Sequence, residues 1–150
     1  MTISPETTAR ISKLKNVVAT KEAAGNLEFV TQIRSLCDIT IMSGDDSLTL
    51  PMMVLGATGV ISVTANIAPK QVKAMVAAIN AGNWTEAKKL HLQLLDLHQA
   101  MFIESNPVPV KTSLALMKKI DQAHVRLPLV GMQPATLEKL TAVLKKHKLI

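Results

Sequence analysis

Three polar groups each close a short apolar run in the first half of the chain, and the first of them contains a lysine. Lys21-Glu22 follows Val17-Val18-Ala19-Thr20, Ser43-Gly44-Asp45-Asp46 follows Ile39-Thr40-Ile41-Met42, and Ser62 to Asn66 follow Val60-Ile61. A lysine at the end of an apolar strand has the makings of a Schiff-base nucleophile. An amine attacks a carbonyl only when neutral, and an ordinary lysine amine is neutral in about one molecule in 2,500 at pH 7. Bringing such an amine to neutrality costs roughly 4–5 kcal/mol, which burial inside an apolar barrel can supply. Gly44 would let a ligand approach the backbone closely, and Asp45 could accept a hydrogen bond or hold an amine. The ordinary alternative is a strand-end lysine that snorkels into solvent. Lys21 taken alone leaves both readings open.

Other reactive residue types point elsewhere. His91 and His98 are seven apart on one helical stretch, without a third ligand or an HExxH spacing, so no metal site is expected. The single cysteine, Cys37, excludes an intrachain disulfide and reads as a half-buried thiol. Met52-Met53 read as core, and Trp84 as an apolar staple at a helix start.

The elements that must position these groups alternate. Ser4-Pro5-Glu6 opens a short helix to about Lys13, through an N-cap, a proline in the first turn and an early acid. Strands are expected at Asn16–Thr20, Ile39–Met42 and Val60–Val63, with helices after Asn26 and from Leu48 to Gly56. That alternation is the signature of βα units on a parallel sheet, whose ligands sit at the C-terminal strand ends. All three polar groups therefore share one rim. From Pro69 onward the pattern is helical: Pro69–Ala81, a helix after the capping box Asn83–Glu86, Pro107–Lys119, and a last helix burying Leu137, Leu140 and Leu144. Three strands and about seven helices make an α/β chain. Three parallel strands leave two open edges, and a closed barrel takes eight. Val17, Ala19, Ile39, Ile41, Ile61 and Val63 are expected to face the missing wall.

Composition bounds the classes. With 150 residues and 48% apolar content, the chain suits one globular domain rather than a disordered segment. Its net charge of +6 invites nucleic acid, but three aromatic residues (Phe29, Trp84, Phe102) and no tyrosine cannot build a stacking platform. Lys145, Lys146 and Lys148 read as the basic end of a helix. The longest stretch free of charge and proline, Met52 to Ala68, is too short and too broken by Gly56, Gly59, Ser62, Thr64 and Asn66 to span a bilayer. No secretory signal opens the chain, so a cytoplasmic location with neither membrane nor nucleic-acid partner is expected.

Five motifs, in order, carry a resemblance over nearly the whole chain. They are Val18-Ala19-Thr20-Lys21-Glu22-Ala23-Ala24-Gly25-Asn26-Leu27, Met42-Ser43-Gly44-Asp45-Asp46, Gly59-Val60-Ile61-Ser62-Val63-Thr64-Ala65-Asn66, Glu104-Ser105-Asn106-Pro107-Val108-Pro109-Val110-Lys111, and Leu127-Pro128-Leu129. Together they resemble the dihydrodipicolinate synthase family, pyruvate-dependent (β/α)8 TIM-barrel lyases of lysine and diaminopimelate biosynthesis. The resemblance implies that residues 1–68 are βα units six to eight of the barrel. Residues 69–150 would be the last barrel helix and a C-terminal helical extension. It implies that Lys21 forms the imine with pyruvate and that Ile61 sets its backbone carbonyl against lysine and substrate. Gly44, Asp45 and Asn106 would line the mouth where aspartate semialdehyde arrives. No cofactor is implied, and the implied partners are the two substrates, copies of the same chain, or a complementary N-terminal half. The family's tyrosine relay, its paired threonines and its carboxylate-binding arginine would all lie upstream of this segment. Two other readings stand beside this one: a non-catalytic half-barrel that pairs with a partner half, and another pyruvate-dependent aldolase of the same superfamily.

Overall fold

Capping decides where the first helices begin. In the computed structural model, which describes residues 2–150, the Ser4 hydroxyl accepts from the Thr7 N–H and opens α1, Pro5–Ile11. Asn26 does the same for α2, Leu27–Leu36, accepting from the Glu28 N–H at 2.9 Å. Between them lies β1, Ala19–Glu22; β2, Thr40–Ser43, follows α2. A 3₁₀ turn at Asp46–Leu48 leads into α3, Thr49–Val54, and then into β3, Gly59–Val60. Four more α-helices follow: α4, Pro69–Asn80; α5, Trp84–Ala100; α6, Val108–Leu116; and α7, Pro134–Lys146.

The three strands pair in parallel in the order β1-β2-β3, so β1 and β3 are the edges. Lys21 stands beside Met42, and Met42 beside Gly59. Side chains alternate across a strand, so Ala19, Lys21, Thr40 and Met42 share one face, and Ile39, Ile41 and Ser43 the other. The second face is buried: Ile41 and Ser43 are fully inaccessible, packed in one core with Val30 and Ile33 of α2 and Met52 and Met53 of α3. Ala19, Lys21 and Thr40 are exposed.

That parity corrects one expectation. Ile39 and Ile41 belong to the covered face, and Val17 and Val63 pack partly against the same core. Of the six residues expected on the bare face, Ala19 and Ile61 are exposed, Ile61 by 49%. Strand bounds shift as well. The Val17 N–H donates to the Leu14 carbonyl at 3.0 Å, so the start of the apolar run is spent in a turn and β1 begins at Ala19. Trp84 is the first residue of α5 and half exposed, and Asn83 caps the helix, accepting from the Glu86 N–H. Met52-Met53 and the half-buried Cys37 sit as expected.

The helical remainder packs around α5, whose Ala87, Leu94, Leu97 and Met101 are buried. α4 lies against one side of it, and α7 brings Leu140 and Leu144 to the same core. The basic last turn of α7 does more than complement its dipole: Lys146 and His147 both reach Asp96 of α5, at 2.6 and 2.8 Å. Among the described residues no helix is long and apolar enough to cross a membrane.

Burial of apolar surface is worth roughly 25 cal/mol per Å², so each ~100 Å² of bare sheet face forgoes about 2.5 kcal/mol. Two strand edges without a partner among the described residues add unpaired backbone groups. The 150-residue chain is therefore expected to self-associate at micromolar concentration in a sedimentation experiment. A cooperative, folded monomer would contradict this.

Candidate active site

The rim at the C-terminal strand ends is built by close backbone approach. Gly44 directly follows β2, and its N–H donates to the Glu22 carbonyl at 2.7 Å, extending the ladder past β1. A Cβ at Gly44 would lie 2.6 Å from the Ala23 Cβ and 2.8 Å from Lys21 Cε, so only glycine fits beneath the lysine stem. Lys21 thus runs across Gly44 with its amine exposed. Beside it, a cleft of about 190 Å³ is lined by Thr20, Lys21, Glu22 and Ala23 of the strand end, with Thr2 and Ile3 opposite.

Asp45 links the first two rim loops, its carboxylate accepting from the Gly25 N–H at 3.2 Å. Glu22 is buried and folds back to accept from the Ala24 N–H at 2.7 Å. Ile61 leaves β3 with its N–H donated to the Ser43 carbonyl at 2.8 Å, which holds its backbone on the sheet. Lys21, Gly44, Asp45 and Ile61 therefore gather around the ends of three adjacent strands. Asn106 is exposed in the connection between α5 and α6 and makes no hydrogen bond to those four among the described residues. The last turns of α5 do reach the rim, since Gln99 and Phe102 line a cavity of about 530 Å³ with Gly25, Asp45, Asp46 and His98.

Asp46, Ser62 and Thr64 were expected on this rim as part of its polar groups, but not with a role of their own, and His98 was not expected there. Asp46, only 2% exposed, accepts from the Ser62 hydroxyl, from the Val63 N–H at 3.0 Å and from the Thr64 N–H at 3.1 Å. Buried Thr64 meets buried His98 across α5, Oγ1 to Nδ1, at 2.9 Å. A signal existed in the sequence. His98 lies within the Leu94, Leu97, Met101 stripe, so periodicity alone places it inside, and a buried imidazole needs a partner. No group of three or more His, Cys, Asp or Glu among the described residues is placed to hold a metal ion.

Comparison with known proteins then decides the family. The model of the dihydrodipicolinate synthetase family matches residues 1–147. The chain belongs to that family. A 4-hydroxy-tetrahydrodipicolinate synthase of Citrifermentans bemidjiense is 55% identical over 148 residues, covering 97% of this chain and 51% of that protein. The corresponding synthase of Geobacter sulfurreducens is 51% identical over the same shares. Among solved structures, the dihydrodipicolinate synthase of Aquifex aeolicus superposes with a TM-score of 0.94 at 42% identity, over 98% of this chain and 51% of its own. A chloride-inhibited synthase of Acinetobacter baumannii, complexed with pyruvate, superposes with a TM-score of 0.91 at 38% identity, over 98% and 51%. The chain spans about half the length of the family relatives it matches.

Electrostatics make the rim sensitive to acid. Burial pushes His98 below the ordinary imidazole value near 6.5, outweighing the attraction of Asp46, and burial also lowers His91. At Asp96 burial acts upward, but hydrogen bonds from Lys146 and His147 prevail and lower it. The unfolded chain therefore binds more protons than the folded one below about pH 6.5, and stability must fall as pH falls through that region. Thermal melts are expected to give a lower Tm at pH 5.5 than at pH 7.5. His98→Gln should flatten that difference, and an unchanged slope would remove His98 as its source.

Proposed function

We propose that this chain supplies the imine-forming part of a (β/α)8 lyase that condenses pyruvate with aspartate semialdehyde, in lysine and diaminopimelate biosynthesis. The observation that carries the proposal is Lys21 at the end of β1, its stem laid across Gly44 on the uncovered face of a parallel sheet. The pyruvate complex of the similar Acinetobacter protein supports the choice of keto acid. On this reading β1, β2 and β3 are the last three of eight strands, residues 1–68 being barrel units six to eight. Residues 69–150 are the last barrel helix and a helical extension. The bare face is then the inside of the barrel, and the setting is cytoplasmic.

The chemistry needs no cofactor, because the lysine supplies the electron sink. The neutral amine of Lys21 adds to the keto carbon of pyruvate, and loss of water leaves an imine. The protonated imine gives up a methyl proton and becomes an enamine. Its carbon attacks the aldehyde of the second substrate, and the substrate's own amine closes the ring and expels the lysine. Ile61 offers its carbonyl beside the imine, Gly44 leaves room for the ligand, and Asp45 with Asn106 meets the second substrate at the mouth. The proton steps call for a relay such as a tyrosine, and this chain has none. A complementary N-terminal half, or association with copies of the same chain, would complete the site.

Two outcomes follow. In the protein as expressed from its own gene, pyruvate and borohydride should leave a reduced adduct on Lys21, located by peptide mass spectrometry; an adduct on another lysine sinks the assignment. The 150-residue chain by itself should turn over slowly, because acid–base assistance of the missing kind is worth ~10²–10⁴ in rate. Turnover near that of the full-length relatives would refute the need for a second half.

A further inference from the structure

Resting on the imine-forming reading, we propose that His98 is a positioning residue. Through Thr64 it clamps the turn that carries Ile61, and thereby sets the pyruvate side of the site without touching substrate. The contacts form a continuous path from the exposed Lys21 stem to the buried Thr64 and His98. The Lys21 stem lies on Gly44, and two residues on, Asp46 holds the Ser62 hydroxyl and the Val63 and Thr64 amides. Thr64, 0% exposed, shares a hydrogen bond between its hydroxyl and His98 Nδ1 at 2.9 Å, and His98 is carried by the 17-residue helix α5. The ring's position is specific to this task. Its Nδ1 is 4.0 Å from Asp46 Oδ1, close enough for attraction, while its Nε2 is buried without a protein hydrogen-bond partner.

An apolar side chain would fill the same space without leaving a buried ring nitrogen unpartnered, so packing alone does not call for a histidine here. The Thr64 bond accounts for its presence. It attaches the β3 turn to α5 at the one point where Asp46 has already tied that turn to the end of β2. A clamp of this kind matters to catalysis because misplacement of a reacting geometry by about 1 Å can cost ~10²-fold in rate.

Thr64→Val, which keeps shape and removes the hydroxyl, and His98→Gln test the clamp in the protein as expressed from its own gene. Both should raise the pyruvate concentration giving half-maximal borohydride trapping at Lys21 by ~10-fold or more. Thr64→Ser, which restores the hydroxyl, should return it to the original value. Hydrogen exchange, read without any activity, should speed up at residues 61–64 and at Gly44 in Thr64→Val, and stay unchanged in α7. Faster exchange at the turn with unchanged pyruvate dependence would overturn the positioning role. Unchanged exchange at the turn would overturn the clamp itself, and applies even to a variant of lower stability, because the comparison is local. If the original protein gives no Lys21 adduct at all, the imine-forming reading fails, while exchange still decides whether His98 holds the turn.

Discussion

The Asp46 carboxylate is the interaction on which the rim depends. Removing a carboxylate from water costs several kcal/mol unless donors replace the solvent. Asp46 is given three: a hydroxyl and two consecutive backbone amides, all from the four residues after β3. Satisfying that one side chain requires the chain leaving β3 to curl around it. In doing so it fixes the end of β2 against the end of β3. The loop that Asp46 shares with Gly44 is in turn fixed against β1 by the Gly44 amide. The buried acid and the Gly44 amide together hold the three strand ends in one rim.

The same interaction explains where the sequence was legible and where it was not. The βα order, the parallel sheet, the helix caps at Ser4 and Asn83, the helix after Asn26, the helix beginning at Pro69 and the existence of the last helix all follow from local chemistry and periodicity. The third strand did not. Val60-Ile61-Ser62-Val63 reads as four strand residues, yet β3 ends at Val60 because the Val63 and Thr64 amides go to Asp46 rather than to a ladder. No local propensity in those residues reveals a carboxylate sixteen or more positions upstream. The parity of β2 was hidden for a related reason. An apolar run without alternation fits either face, and only the register Ala19 to Thr40 shows that Ile39 and Ile41 point to the helices.

The candidate site divides along the same line. Lys21, Gly44 and Asp45 were legible because each is an exception in its setting: a charge ending an apolar run, a glycine at a strand end, an acid behind it. Ile61 was reached through family resemblance, since an isoleucine proposed to act through its backbone has no chemical mark. His98 and Thr64 look ordinary one at a time and acquire meaning only as a pair, thirty-four positions apart and 2.9 Å from each other.

Lys21 also shows what one sheet can and cannot do for an amine. Its stem lies over Gly44, the rim is tied by Asp46, and Met42 stands beside the lysine in register with Gly59 beyond. Dryness is a different requirement, because a neutral amine is favoured by low-dielectric surroundings on every side. The helices here cover the Ile41 face, and the Lys21 face is exposed at Ala19, Lys21 and Thr40. Orientation comes from hydrogen bonds within the segment, whereas desolvation needs a wall that faces it. A barrel separates these tasks cleanly: each group of strands orients its own residues, and the strands opposite exclude the water. The chain described here carries the first task, and the second falls to whatever closes over the bare face.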